Sequence, residues 1–345
     1  MDQVGDRYYV SAAEVRTGSG RRIAAIHPPA VVRKGQAMPV SCQRPAARLF
    51  AGSSTPRFPL RGGHQEAGAL LAGRYRLAEV IGRGATARVW RARDEVLDRD
   101  VAIKQFHQRR SEGPSEARTA ARIRHPNVVT VNDVLPSGDL VMEYHDGPTL
   151  ATLLRDGRSL PPPIVAALGQ QLLAALQAVH AAGVVHCDVK PANLMVGDDG
   201  WLMLIDFGIA EIEGGAPAHP ARRSGYVVGS PAYMAPELIR GKAPRPASDL
   251  WSLGATLYAA VEGRLPFPQD DTVANLAAVL HDPPAPARQA GRLQPLLARL
   301  LVKDPSKRPS YPAVHALLTE ARSALDGAAP MRNGAAHRHP LQAAA

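Results

Sequence analysis

An α+β architecture in two lobes is the fold class this sequence predicts: a small antiparallel β-sheet lobe carrying one helix, then a larger, mostly helical lobe. Two patterns in the 345 residues carry that expectation. Between Tyr75 and Phe106 apolar and polar residues alternate with the two-residue period of a strand, whereas beyond Gly147 apolar residues recur three and four apart. Hydrophobic residues make up 45 % of the chain, enough for a sizeable core and too many for a wholly disordered protein.

Residues 1–72 show no sustained period and are punctuated by Pro28, Pro29, Pro39, Pro45, Pro56 and Pro59. They are expected to form a basic arm without stable structure. A start codon assigned too far upstream would give the same composition. A folded domain is expected over 73–321, with a sheet lobe at 73–143, a hinge at 143–147 and a helical lobe at 148–321. A short flexible tail follows at 322–345. Alternation over 75–81 and 87–92 around a glycine turn predicts a hairpin, and 101–106 a third strand. Gly113-Pro114 opens a short helix ending near Arg124, with proline at its first position. Two more strands, 128–134 and 140–144, flank the turn at 136–139. The segment 164–182 is long and amphipathic, with Leu168, Leu172, Leu176 and Val179 on one face. Helical patterns recur at 247–262, 273–280, 292–301 and 313–325.

The formal net charge of +10 raises the question of a nucleic-acid or membrane-surface partner. Its placement answers otherwise: residues 1–70 carry +6, residues 319–345 carry +1, and the segment 71–318 only +3. Nucleic-acid binding is therefore not expected. Two cysteines, Cys42 and Cys187, cannot form a disulfide framework and suit a reducing, cytoplasmic setting. No apolar run approaches the roughly 18 residues that a membrane helix needs. After Arg21-Arg22 the apolar stretch ends at Ile26, too short for a signal peptide. Only six residues are lysine against 35 arginines, a bias that resembles a GC-rich bacterial genome. A lysine at a site needing a compact ammonium is correspondingly informative.

The chemistry concentrates in a few places. Gly82-Arg83-Gly84-Ala85-Thr86-Ala87-Arg88-Val89 is a glycine turn between strands, whose flexible tip can aim backbone N–H groups at phosphate oxygens. Lys104 lies 22 residues beyond Gly82, and Glu116 a further 12. If the two meet, the carboxylate would fix the ammonium against a nucleotide's phosphates. The strongest cluster is His186-Cys187-Asp188-Val189-Lys190-Pro191-Ala192-Asn193, followed 18 residues after Asp188 by Asp206-Phe207-Gly208. Phosphoryl transfer from ATP needs positioning, a divalent metal and a carboxylate facing the attacking hydroxyl. Asp188 can serve the hydroxyl and Lys190 the γ-phosphate. Asn193 and Asp206 offer hard oxygen ligands for magnesium, or for manganese in its place.

On these residues the sequence resembles the eukaryotic-type serine/threonine protein kinase family, in its bacterial, actinobacterial-like branch. The resemblance covers about 74–320 and continues through Ala235-Pro236-Glu237, the segment from Asp249 to Gly254, and Lys307-Arg308-Pro309. It implies a protein kinase fold, ATP and magnesium as cofactors, and serine or threonine hydroxyls of proteins as acceptors. It also implies that Glu237 pairs with Arg308. Ile81, Val89 and Ala102 would roof the adenine, Met195 would form its floor, and Met142 would stand at the gatekeeper position. The Glu143 carbonyl and His145 amide would meet the adenine edge. Gly82, Gly84, Ala85 and Thr86 would cover the phosphates, with Lys104 and Glu116 behind them. Phe207, Gly208, Ser224, Ser230 and Glu237, grouped with Asp249 and Arg308, would make up the activation segment and its surroundings.

Departures from the family pattern sharpen the expectation. The usual His-Arg-Asp is here His186-Cys187-Asp188, and in the family that arginine gathers a phosphate on the activation loop. No threonine occurs between Asp206 and Glu237, where the available hydroxyls include Ser224, Tyr226 and Ser230. A kinase active without loop phosphorylation is predicted. The stretch from Lys104 to Glu116 is shorter than in most of the family, and Ala87 stands where the last loop glycine would be. Many bacterial relatives continue into a membrane helix and sensor repeats; here the sensor is expected to be absent or to be another protein. The competing readings are a nucleotide-binding pseudokinase that acts as a scaffold and a small-molecule phosphotransferase.

Overall fold

The structure, a computed structural model, describes residues 12–16, 22–26, 66–84, 87–107, 121–206, 211–212, 230–269 and 271–323. Its first elements, β1 (Ala12–Arg16) and β2 (Arg22–Ile26), pair antiparallel with Ala12 opposite Ile26. This hairpin lies within the arm expected over 1–72, most of which lies outside the described residues. Val15, Ile23 and Ile26 supply β-branched residues, and the sequence between the strands is rich in glycine. Two strands of five residues each are too short to register as a period.

Six antiparallel strands follow in one sheet: β3 (Leu70–Leu71), β4 (Tyr75–Arg83), β5 (Ala87–Asp94), β6 (Arg99–Phe106), β7 (Val131–Val134) and β8 (Leu140–Glu143). Their spatial order is β3-β4-β5-β6-β8-β7. The alternation seen in the sequence sorts side chains between two cores. Tyr75, Leu77, Trp90, Val101, Ile103 and Val141 form one, on one face of the sheet. Ala87, Ala102, Phe106 and Met142 belong to a second that runs on into the helical lobe. Residues 108–120, which hold most of the helix predicted from Gly113 and its Glu116, lie outside the described residues. At the predicted end of that helix, Ala121 and Arg122 form a turn rather than a helix. The strand expected from 128 begins only at Val131. Val128 instead bridges to Leu204 in the helical lobe, drawn there by burial at both residues.

The helical lobe contains α1 (Leu150–Leu153), α2 (Pro162–Ala181), α3 (Pro236–Ile239), α4 (Pro246–Glu262), α5 (Thr272–His281), α6 (Gln294–Leu300) and α7 (Tyr311–Arg322). Proline stands in the first turn of α2, α3, α4, α6 and α7, where a missing N–H costs nothing. α2 is the axis of the lobe. Leu168, Leu172, Leu176 and Val179 are buried on it, and at Gly169 a Cβ would come within 2.8 Å of Leu318 on α7. The two helices therefore cross closely at that glycine. α2 is also long and apolar enough to cross a membrane by length and composition, which corrects the sequence reading that no run approaches that length. Gln170 and Gln171 interrupt the apolar run without lowering its average below that of a membrane helix. Half of the window is buried inside the fold, as in the core helix of a packed lobe.

Two short ladders between α2 and α3 carry the site: β9 (Val184–Val185) pairs with β12 (Glu211–Ile212), and β10 (Leu194–Val196) with β11 (Leu202–Leu204).

Candidate active site

The β10–β11 hairpin fixes the spacing between two of the predicted ligands. Its ladder opens at Leu194 opposite Leu204, and one step beyond, Ile205 N donates to Asn193 O at 2.9 Å. Asn193 and Asp206 thus leave the same end of the hairpin. Asp206 sits at φ 71°, a left-handed conformation rare for a residue with a side chain. Its Oδ1 accepts from Lys104 Nζ, which comes from β6 of the other lobe. Lys104 is only 5 % exposed, so its ammonium is removed from water and needs such a partner. Lys104 and Asp206, 102 residues apart, are brought together as a cross-lobe ion pair.

Asp188 lies on the loop between β9 and β10. Lys190 Nζ donates to its two carboxylate oxygens at 3.0 and 2.8 Å. Asn193 Nδ2 donates to Asp188 Oδ2 at 3.0 Å and to its carbonyl at 2.8 Å. The amide nitrogen of Asn193 therefore faces Asp188, and the Oδ1 end is the one that can ligate a cation. Asp188, Lys190 and Asn193 form one hydrogen-bonded group.

The loop is held from beneath by Asp249 on α4, which is fully buried. Its carboxylate accepts from His186 N at 2.7 Å and Cys187 N at 2.9 Å, while His180 Nε2 on α2 lies 2.7 Å away. A carboxylate only accepts, so His180 Nε2 carries a hydrogen. Tyr311 on α7 reaches the other ring nitrogen of His180. Burial works against the Asp249 charge, but the hydrogen bond from His180 and the nearby imidazoles outweigh it and hold the carboxyl below its ordinary value. Burial keeps His186 neutral, its pKa pushed down, with Nδ1 near Asp188 N at 3.3 Å. Cys187 is buried at φ 64°, with its Sγ 3.5 Å from Val185 O. Its backbone N–H is used by Asp249, whereas its side chain offers no cationic group to a phosphate. Reading the sequence missed His180 and Tyr311, because nothing local marks two residues 131 apart in the chain.

The apolar residues assigned to the adenine meet in part. Ala102 and Met142, paired across β6 and β8, are buried in one cluster against which Val89 and Met195 pack. Gly147 passes over Met195: at φ 138° it takes a backbone conformation that disfavours a side chain. Ile81 does not join this cluster and is 46 % exposed at the lip of the glycine turn. Its burial would require a bound group. Glu143 is exposed. The His145 ring lies tilted against Trp201, with centroids 5.4 Å apart, and 3.2 Å from Glu143 Oε1. Gly82 lies near the end of β4 and Gly84 just beyond it, with Gly84 N donating to Ala87 O at 2.8 Å. Ala85, Thr86, Glu116, Phe207, Gly208 and Ser224 lie outside the described residues, so the pairing of Lys104 with Glu116 is not described. Ser230 precedes the turn Pro231–Tyr233 and is half-buried.

Glu237 and Arg308 form a bidentate pair at 2.7 and 2.8 Å, both side chains buried. Ser248, at the first turn of α4, adds a hydrogen bond to Glu237 at 2.8 Å. Burial opposes the Glu237 charge, but the Arg308 hydrogen bonds and charge outweigh it and hold the carboxyl below its usual range.

Two lobes, a cross-lobe lysine–aspartate pair and a braced loop bearing Asp188, Lys190 and Asn193 are the architecture of a protein kinase. A family model described as the protein kinase domain matches residues 75–320. The serine/threonine-protein kinase PknA of Mycobacterium tuberculosis is 37 % identical over 258 residues, covering 70 % of this chain and 59 % of its own. A probable serine/threonine-protein kinase of Streptomyces coelicolor is 36 % identical over 276 residues, covering 74 % and 41 %. The serine/threonine-protein kinase pkn3 of Myxococcus xanthus is 36 % identical over 262 residues, covering 70 % and 48 %. This chain belongs to the protein kinase family, and it spans about half the length of these curated relatives. Membership implies ATP and a divalent metal as the reagents of the site.

Proposed function

We propose that this chain transfers the γ-phosphoryl group of ATP to serine and threonine hydroxyls of proteins. The observation that carries this reading is the convergence of Asp188, Lys190, Asn193 and Asp206 with Lys104 from the opposite lobe. Asp188 has an acceptor-only carboxylate at the mouth of the site and takes the proton of the acceptor hydroxyl. The hydroxyl oxygen forms its bond to the γ-phosphorus as the bond to the bridging oxygen of ADP breaks. Lys190, 2.8 Å from that carboxylate, supplies positive charge beside the transferred group, and Lys104 supplies it on the donor side.

Asn193 Oδ1 and the Asp206 carboxylate fit a hard divalent cation, and magnesium is the one proposed to be held there. It would offset the charge of the phosphates. Val89, Ala102, Met142 and Met195 provide the apolar slot for the base, with Ile81 closing over it.

Activity without loop phosphorylation is part of the proposal. Cys187 keeps the backbone hydrogen bond that braces the loop, but has no guanidinium to tie the catalytic loop to a phosphate. Substituting Ser224→Ala is expected to leave the transfer rate unchanged, measured as label incorporated per minute, and a collapse of that rate would count against it. For the function itself, the full chain is incubated with γ-labelled ATP, magnesium and a mixed protein acceptor. Label on phosphoserine and phosphothreonine, abolished by a chelator, is the expected result. Nucleotide binding without transfer would make it a pseudokinase scaffold, and label confined to small molecules would make it a metabolite phosphotransferase.

A further inference from the structure

β11 has two edges. Toward β10 it bonds through alternate residues: Trp201 O accepts from Gly197 N at 2.8 Å, Ile205 N donates to Asn193 O at 2.9 Å, and Met203 lies opposite Met195 between them. The backbone groups of Leu202 and Leu204 therefore face the other way, and all four have partners. Val129 N donates to Leu204 O at 3.0 Å, and Leu204 N to Asn127 O at 2.9 Å. From there two side chains continue what a neighbouring strand would otherwise do. Asn127 Nδ2 donates to Leu202 O at 2.7 Å, Leu202 N to Gln171 Oε1 at 2.9 Å, and Gln171 Nε2 to Gly200 O at 2.9 Å. Asn127 Nδ2 also donates to Gln171 Oε1 at 3.0 Å, which joins the two. The amide of Gln171 can sit only this way round, since Leu202 N–H needs an acceptor and the Gly200 carbonyl a donor.

Where these bonds fall along the hairpin matters. The two backbone bonds meet β11 at Leu204, two residues before Asp206. The bonds of Gln171 fall at Leu202 and at Gly200, in the turn that closes the hairpin. Asn193 and Asp206 leave the opposite, open end. An anchor at Leu204 alone would let the hairpin pivot about that residue, whereas a second anchor near the turn fixes its angle. Gln171 supplies that second anchor from α2, where Leu168, Leu172 and Leu173 are buried in the core of the helical lobe. Asn127 is itself buried and lies four residues before β7, so the same network reaches the sheet lobe, whose Lys104 pairs with Asp206.

We infer that Gln171 is a positioning residue for the metal ligands: together with Asn127 it fixes the angle of the β10–β11 hairpin and so the places of Asn193 and Asp206. The inference rests on the proposed function for what those two residues hold. Gln171 acts through the hairpin and meets none of the reacting groups. Side chains that orient metal ligands from behind typically account for roughly 10- to 100-fold in metal affinity, and Gln171, one step further back, is expected at the low end.

The test compares the wild-type full chain with Q171M and L297A. Methionine matches glutamine in length but makes none of its strong hydrogen bonds. L297A removes buried packing on α6 and serves as a variant destabilised elsewhere. Binding of the non-hydrolysable analogue β,γ-imido-ATP is measured by calorimetry in excess manganese and in chelator, and the ratio is the gain in affinity that the metal confers. Q171M is expected to cut that gain by about 10-fold. Adenosine, which carries no phosphate to bring a metal, should bind Q171M and the wild type equally, and the Leu202 amide should exchange its hydrogen faster in the variant. L297A should lower the thermal midpoint and keep the gain. A full gain in Q171M, an equal loss for adenosine, unaltered exchange at Leu202, or a reduced gain in L297A overturns the inference while leaving the kinase reading standing. A wild-type chain that gains nothing from manganese removes both.

Discussion

Asp188→Asn is expected to lower kcat for protein phosphorylation by on the order of 10²- to 10⁴-fold, with KM for ATP near that of the wild type. The amide has the size of the carboxylate and can still accept from Asn193 Nδ2, so the loop keeps its shape. What disappears is the acceptor for the hydroxyl proton. The asparagine also presents an NH₂ group where Lys190 now donates at 3.0 and 2.8 Å, so one of those two contacts becomes donor against donor. Lys190 and Asp188 keep side-chain exposures of 19 % and 15 %, enough for water to solvate the released ammonium and to limit any loss of stability. The measurement is steady-state kinetics with the acceptor protein in excess, beside a thermal unfolding curve. A fall in kcat at unchanged thermal midpoint assigns the proton to Asp188. Retention of the rate within a few-fold would place the base elsewhere and leave Asp188 an orienting role.

How much of this could be read in the sequence depended on the length scale of each feature. β4, β5 and β6 repeat their alternation over eight or nine residues, and α2 and α4 sustain a helical face over several turns, so period alone exposed them. Spacing exposed Asp188, Lys190, Asn193 and Asp206, since a short hairpin fixes the distance between its ends. The ladders β9–β12 and β10–β11 are two and three residues long, below any period, and are made by tertiary pairing. Asp249 was legible as part of a motif, but its work, receiving two backbone amides of the catalytic loop, depends on α4 packing beneath β9. Most of the short helix predicted to end near Arg124 lies outside the described residues; beyond it the chain turns at Ala121–Arg122 and again at Pro126–Asn127, with Ile123, Val128 and Val129 buried.

Arg308→Ala is expected to cost about 3–5 kcal/mol of folding stability, read as a lower urea midpoint at constant slope. The guanidinium is wholly buried and makes more than the Glu237 pair: it also donates to the carbonyls of Ala247 at 2.7 Å and Val302 at 3.0 Å. Its plane lies 5.2 Å from the Trp251 ring. Deleting it strands a buried carboxylate and two carbonyls at once, at the junction of α3, α4 and the turn before α7. Arg308→Lys should recover little, because an ammonium cannot meet both Glu237 oxygens and both carbonyls in one plane. Acidity distinguishes this cause from a mere packing defect. In the wild type the Glu237 carboxyl is held below its ordinary value, so its contribution is present at neutral pH and is lost as pH falls through that depressed value. Without Arg308, burial outweighs the remaining hydrogen bond from Ser248 and raises the same carboxyl, so the folded variant takes up a proton as the pH drops and its penalty shrinks. The stability gap between wild type and Arg308→Ala should therefore narrow from pH 7 toward about pH 4.5. A gap that stays constant over that range would mean that lost van der Waals contact, not the stranded carboxylate, is what the substitution costs.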